Sequence, residues 1–205
     1  MPQNIVIHSR SDWGATNVSD VFGRHDALGV VVHNMENANR SPEADETAER
    51  AKAFEISRRC QRQHMNDNGW SDTGQNFTIS RGGVIMEGRK GSLDAARAGQ
   101  VARGAHASGV AHFNNHYHGI ELEGDYRRTD AITSEQRNAL INLCAHLCVW
   151  ATAGPSEGEL KIIPHYDVVV GHTDCPGLLR GHMGDIRAAV AERIGEIQNG
   201  VDTPG

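Results

Sequence analysis

His33, His165 and Cys175 are the residues of this chain best suited to hold a metal ion. Two imidazoles and a thiolate make a three-ligand zinc set, and an ion held by three protein donors keeps its fourth tetrahedral position open. His33 ends the apolar run LGVVVH (residues 28–33), where a lone histidine is as a rule a core or capping residue. The segment PHYDVVVGHTDCPG (164–177) changes that reading. In it His165 and Cys175 lie ten positions apart around a loop carrying Gly171 and Pro176, and His172 competes with His165 for the second place. Glu121 belongs to GIELEG, a strand otherwise apolar, where a carboxylate is costly unless paired or used. Glu123 shares its face, as partner or as the base in its stead. Two rivals to a catalytic metal are weaker. A nucleophilic Cys175 needs a helix N-terminus to lower its pKa, and Pro176-Gly177 is a poor helix start. A purely structural zinc would need a fourth protein ligand.

The elements that must position these groups follow from hydrophobic pattern and turn chemistry. Residues 5–8 read as a short strand and 28–33 as a buried one. Residues 34–42 read as a loop. Residues 44–64 have helical composition with Ala48, Ala51, Phe54 and Ile56 on the apolar side, stopped at Asn66-Asp67-Asn68-Gly69. Strands at 75–80 and 84–87 flank the turn Arg81-Gly82-Gly83. Residues 88–117 are rich in Gly and Ala with little period and read as irregular. A strand at 119–123 puts Glu121 and Glu123 on one face and Ile120 and Leu122 on the other. Thr133 caps a helix that runs to about Ala153, where Gly154-Pro155 ends it; residues 161–164 form a strand delivering His165; residues 185–197 form a last amphipathic helix. Strands and helices mix along one chain, which predicts an α/β fold, a single domain with a central mixed β-sheet flanked by helices. Residues 1–198 are read as that domain and 199–205 as a flexible tail or the start of a linker.

The composition excludes several classes. The chain has 205 residues, 38% hydrophobic and 22% charged, with a net charge of −6. That balance argues against a nucleic-acid binder, and no run is long and apolar enough to insert in a membrane. The start lacks a basic n-region and an apolar h-region, so no signal peptide is expected and synthesis in a cytoplasm is the default. Of the four cysteines, Cys60, Cys144 and Cys148 read as small buried hydrophobes. Trp13, Trp70 and Trp150 read as packing residues, with sugar contact an option for Trp70. The twelve histidines, several in apolar or Gly-rich settings, agree with a metal.

The series VVHN, WSDTGQNF, SRGGVIMEGR, GAHASG, GIELEG and HTDCPG, opened by SRSDWGA at 9–15, resembles the type 2 N-acetylmuramoyl-L-alanine amidases over about residues 5–195. That family includes phage endolysins, cell-wall recycling amidases and peptidoglycan recognition proteins. The resemblance implies a mixed sheet flanked by helices with one zinc ion in a surface groove, held by His33, His165 and Cys175. It implies cleavage between N-acetylmuramic acid and L-alanine, with bacterial peptidoglycan as partner and a monomer as the working unit. The ten-position spacing exceeds the eight of many members and matches the recycling amidases, which place Asp at the position of Cys175. Gln75 stands where phage members often carry Tyr, and Thr173 where they often carry Lys. The recycling amidases use a Glu at the position of Glu121, which implies Glu121 as general base and proton donor, with Thr173 as a further oxyanion donor. Substrate contacts are expected from His106, Gln75 and Asn34, and a part in orienting His33 and His165 from Asn34, Asp167 and Asp174. The SRSDWGA opening favours a phage endolysin made in the host cytoplasm, reaching the wall once the membrane is permeabilised. A recycling amidase and a non-catalytic peptidoglycan-binding module are the alternatives.

Overall fold

A computed structural model describes residues 5–129, 132–152 and 160–200. The main elements in chain order are β1 (Arg24–Asp26), β2 (Gly29–Asn34), α1 (Glu46–Arg62), β3 (Phe77–Ile79), β4 (Ile85–Glu87), α2 (Ser92–Arg97), β5 (Gln100–Ala102), α3 (Ala111–His116), β6 (Tyr117–Leu122), α4 (Ser134–Thr152), β7 (Lys161–Pro164) and α5 (Met183–Gln198). The run Val30-Val31-Val32 has no polar side chain to satisfy, and all three are fully buried in β2. β2 lies inside a five-stranded sheet of order β4-β3-β6-β2-β7. β7, β2, β6 and β3 run parallel, and β4 returns antiparallel from β3 through the tight turn at Gly83 (φ +81°). The fold is therefore one mixed α/β domain with a mixed sheet between helices.

Strand alternation assigns the two faces. Val30, Val32, Phe77, Ile79, Ile120 and Leu122 form one core with Leu140, Leu143 and Leu147 of α4 and Ile186 and Val190 of α5. His33 and Glu121, register neighbours on β2 and β6, point to the opposite face, which α1 covers. Because the central strands are parallel, their C-terminal ends share one edge of the sheet. His33, Glu121 and the segment after β7 all emerge there, in the crevice where open α/β sheets bind ligands.

α1 starts at an N-cap, Asp45, whose carboxylate accepts the Ala48 N–H at 2.9 Å. Its apolar side differs from the expectation: Ala48 and Ala51 are exposed, and the inward face carries Glu49, Ala53, Ile56, Ser57, Cys60 and Gln61. The reason is a buried ionic network. The Arg40 guanidinium donates to both Glu49 oxygens at 2.7 Å and to Glu123 at 2.7 and 3.0 Å, and Ser80 Oγ and the Gly82 N–H also donate to Glu49. Burial alone would raise the Glu49 carboxyl; the hydrogen bonds from Arg40, the Glu43 N–H and Ser80 outweigh it and hold the carboxyl down at about 2, against an ordinary 4.5. A carboxyl depressed by folding stabilises fully above its unfolded value, and that stability drains away as pH falls through the folded one. Denaturant unfolding should therefore find this contribution lost between about pH 4.5 and 2, and an Arg40→Met protein should lack that part of the acid response.

Three other expectations are corrected. Residues 5–8 form no strand; His8 makes a single bridge to Met86, and the chain then turns at 10–14. Residues 88–117 are not irregular: they hold α2, β5 and α3, and β5 pairs with β1 in a small second sheet. Elements of three to six residues carry too little sequence for a period to register. Residues 119–123 give a longer strand that begins at Tyr117. The Thr133 cap is present, with its hydroxyl accepting the Gln136 N–H at 3.1 Å. The expected helix end at 153–155 and residues 201–205 of the expected tail lie outside the described residues, and Asn199 caps α5. Cys144 and Cys148 are buried in the α4 core, and no described helix is long and apolar enough to cross a membrane.

Candidate metal and catalytic site

The site is assembled by backbone before any side chain acts. The segment after β7 folds back on itself: the Tyr166 N–H donates to the Cys175 carbonyl at 2.7 Å, which sets His165 beside Cys175. Gly177 (φ +69°) anchors the loop's far end. A Cβ there would sit 2.3 Å from the Tyr126 carbonyl oxygen, the same oxygen that accepts the Leu178 N–H at 2.7 Å. So HTDCPG ends in glycine because the loop passes hard against the chain beyond β6.

One ligand atom each from His33, His165 and Cys175 lies within 4.8 Å of the others. The His33 and His165 rings are 4.3 Å apart between centroids, and Cys175 Sγ lies 3.9 Å from His33 Nδ1. Two ligands of a tetrahedral zinc, one nitrogen and one sulfur, are separated by roughly 3.6 Å. His172 is exposed and does not join this group.

A chain of hydrogen bonds sets which nitrogen of His33 is available. The Tyr117 carbonyl only accepts, so His106 Nε2, 3.1 Å away, carries a proton. His106 Nδ1 then accepts, and His33 Nε2 donates to it at 3.0 Å. His33 Nδ1 is left as a lone pair facing Cys175. Burial, reinforced by the neighbouring His106 and His165, pushes the His33 imidazole well below its usual range; burial takes His106 and His165 down to about 4. Neutral imidazoles are the form a metal needs. Burial raises the Cys175 thiol to about 12, with the Asn34 N–H, 3.4 Å from the sulfur, pulling the other way.

His106 is thus engaged at both nitrogens within the chain, and only its surface remains for a bound molecule. Its ring lies against bare backbone, since a Cβ on Gly119 would come within 2.5 Å of it. Partners that fix a ligand histidine's tautomer are typically worth 10–100-fold in metal affinity. His106→Ala is therefore expected to weaken zinc binding by about that factor in competition with a chromophoric chelator, and an unchanged affinity would rule the relay out.

The three donors border an open cavity of about 620 Å³, also lined by Asn34, His64, Trp70, Gln75, His106, Glu121 and Thr173. Burial lifts the Glu121 carboxyl to about 7, against a hydrogen bond from the Cys60 thiol that favours its charged form. Glu123 is not on the cavity wall; it is committed to Arg40. Thr173 Oγ1 accepts the Cys175 N–H at 3.1 Å, which leaves its own O–H to donate. Gln75 is buried, with Nε2 on Thr78 Oγ1 at 2.9 Å and on Cys60 Sγ at 3.3 Å, while its Oε1 has no hydrogen-bond partner among the described residues. Asn34 acts on the sulfur through its backbone; its buried side-chain amide has no partner among the described residues. Asp167 and Asp174 are exposed, and the ring partner of His33 is His106. Trp70, expected as packing, is on the cavity wall against His64. Cys60 is buried as expected, but sequence reasoning missed that its sulfur meets Glu121 and Gln75. The signal available was its spacing of four from His64, one helical turn.

The pattern of a family described as N-acetylmuramoyl-L-alanine amidase matches residues 23–178. The peptidoglycan-recognition protein SC2 of Drosophila melanogaster is 27% identical over 173 residues, 84% of this chain and 81% of that protein. The N-acetylmuramoyl-L-alanine amidase of Homo sapiens is 26% identical over 172 residues, which are 84% of this chain and 26% of that longer one. Among solved structures, Drosophila PGRP-LB superposes with a TM-score of 0.67 at 27% identity, covering 87% of this chain and 92% of that one. A PGRP-LB variant has been solved in complex with tracheal cytotoxin. The amidase LysC from Clostridium intestinale has the same fold, with a TM-score of 0.62 at 21% identity and coverage of 92% and 99%.

Proposed function

Because this chain belongs to the N-acetylmuramoyl-L-alanine amidase family, we propose that it hydrolyses the amide between N-acetylmuramic acid and the L-alanine of peptidoglycan, with one zinc ion held by His33, His165 and Cys175. The observation that carries this reading is a single cavity bordered by three convergent soft and borderline donors and by a carboxyl poised near neutrality. The donor set fits zinc in number, chemistry and spacing. Bound there, the ion supplies a Lewis acid for the amide carbonyl.

The chain's own residues do the rest. Glu121 accepts a proton from the attacking water and returns it to the departing alanine nitrogen, a task matched by a carboxyl held near the working pH. Thr173 Oγ donates to the oxygen that becomes negative. His106 and the Tyr117 carbonyl keep His33 in the tautomer that leaves Nδ1 unprotonated. Trp70 and His64 form a wall against which the glycan or stem peptide lies. The Cys175 thiol must lose its proton to act as a ligand, so zinc affinity falls in acid.

Protein stripped with chelator is expected to release no new alanine amino termini from purified cell wall, and one equivalent of zinc should restore release. Cys175→Ser should fail to recover. Undiminished cleavage by verified metal-free protein would sink the zinc reading. Zinc-loaded protein that binds the wall without cleaving it would make the chain a peptidoglycan-binding module instead. We assign polymeric wall rather than soluble fragments as the substrate, in the setting of a phage lysin acting from within, on the strength of the SRSDWGA opening. Faster release from soluble muropeptides than from intact sacculi would reverse that in favour of a recycling enzyme.

A further inference from the structure

We infer that Cys60, His64 and Glu121 form a second divalent-metal site, beside the first and weaker than it, whose filling withdraws Glu121 from the cavity's chemistry. One ligand atom from each of the three lies within 4.8 Å of the others, as in the His33 group. The individual separations are those of ligands on one ion. Cys60 Sγ is 3.7 Å from His64 Nδ1 and 3.6 Å from Glu121 Oε2, against the roughly 3.6 Å that a tetrahedral zinc sets between a sulfur and a nitrogen or oxygen ligand. Cys60 and His64 are one helical turn apart, at the end of α1 and in the following turn, and Glu121 meets them from β6.

One further observation points to a ligand, and another fixes the tautomer of His64. Gln75, only 2% exposed, has a side-chain oxygen with no hydrogen-bond partner among the described residues, while its nitrogen touches Cys60 Sγ. That unsatisfied buried oxygen belongs to a side chain already touching the cluster through its nitrogen. His64 Nδ1 already accepts a hydrogen bond from the Gly74 N–H at 3.1 Å, so it carries a lone pair rather than a proton. His64, Gln75 and Glu121 all line the open cavity, which gives an ion a way in. A thiolate with an imidazole and a carboxylate selects zinc and its neighbours over magnesium or calcium.

Filling the site replaces the S–H···O contact between Cys60 and Glu121. The thiol proton leaves to solvent as the metal–sulfur bond forms, and the Gly74 N–H gives up His64. Both exchanges oppose binding, which is why this site fills after the His33 site. The consequence for activity rests on the amidase reading, in which Glu121 moves the proton; the metal count does not. Excess zinc should then inhibit the enzyme that one equivalent activates.

The test is a zinc titration of metal-free protein, read both as bound equivalents and as cleavage of purified wall. Wild type should take two equivalents, and its cleavage should fall at least tenfold between the first and the second. Cys60→Ala and His33→Ala should each take one, and Cys60→Ala should show no fall with excess zinc. As a measurement that leaves Cys60 in place, cobalt added to Cys175→Ser should still give a thiolate-to-cobalt charge-transfer band. One equivalent in wild type, two retained in Cys60→Ala, or no band in Cys175→Ser would each overturn the second site. Two equivalents with no cleavage at any zinc level would leave the second site standing and overturn the amidase reading.

Discussion

Glu121→Gln is expected to lower amide hydrolysis by roughly 10²–10⁴-fold while the zinc equivalent at His33, His165 and Cys175 is retained. Glutamine keeps the shape and the hydrogen-bonding reach of the side chain and loses only the ability to take a proton. The loss corresponds to roughly 3–5 kcal/mol of barrier. The pH profile carries an independent sign. Burial lifts the Glu121 carboxyl to about 7 in the metal-free chain, and a cation close by would bring it back down. A base works in its charged form, so the wild-type rate should fall as pH drops through a value at or below about 7, and the residual rate of the variant should lack that acid limb. A Glu121→Gln protein within tenfold of wild type would remove Glu121 from the chemistry. Since Glu123 is committed to Arg40, the base would then have to be sought among the histidines of the cavity wall.

The second large effect is on stability. Arg40→Ala should destabilise the fold by about 3–5 kcal/mol at neutral pH, because it takes from two buried carboxylates, Glu49 and Glu123, the guanidinium that pairs with both. Arg40→Lys should recover only part of the loss, since an ammonium cannot reproduce the paired donation to both carboxylates. The penalty should shrink as pH falls, because burial without Arg40 raises the Glu49 carboxyl, which then takes up its proton before the unfolded chain does. Chemical unfolding of the three proteins at neutral and acid pH measures all of this. A loss under 1 kcal/mol would mean that water enters the network and hydrates the carboxylates.

How much was legible from sequence depended on the range of the interactions involved. The Val30-Val31-Val32 strand and the hairpin at Arg81-Gly82-Gly83 are local, written in β-branched residues and turn glycines, and they need no knowledge of the rest of the chain. The inward face of α1 could not be read the same way. Ala48 and Ala51 look apolar, yet the helix turns Glu49 inward because Arg40 is there to meet it, an arginine from a different loop. The six-residue helices α2 and α3 have less than two turns each and no stripe to detect. At the site, the sequence pattern singled out three candidate metal donors, and the fold brings them together. It could not reveal that both nitrogens of His106 are engaged inside the protein, or that Cys60 reaches Glu121. Both depend on where one element crosses another.

Gly119 shows where such crossing leaves a dependency hidden from any inventory of functional groups. It offers the site no donor, charge or surface, only an empty volume that an imidazole fills. A methyl at that position would tilt the ring away from the carbonyl that orients it, and the ring beyond would be free to present its other nitrogen. Which nitrogen of His33 keeps its lone pair is thus decided two residues removed, by a place where the strand has nothing to add.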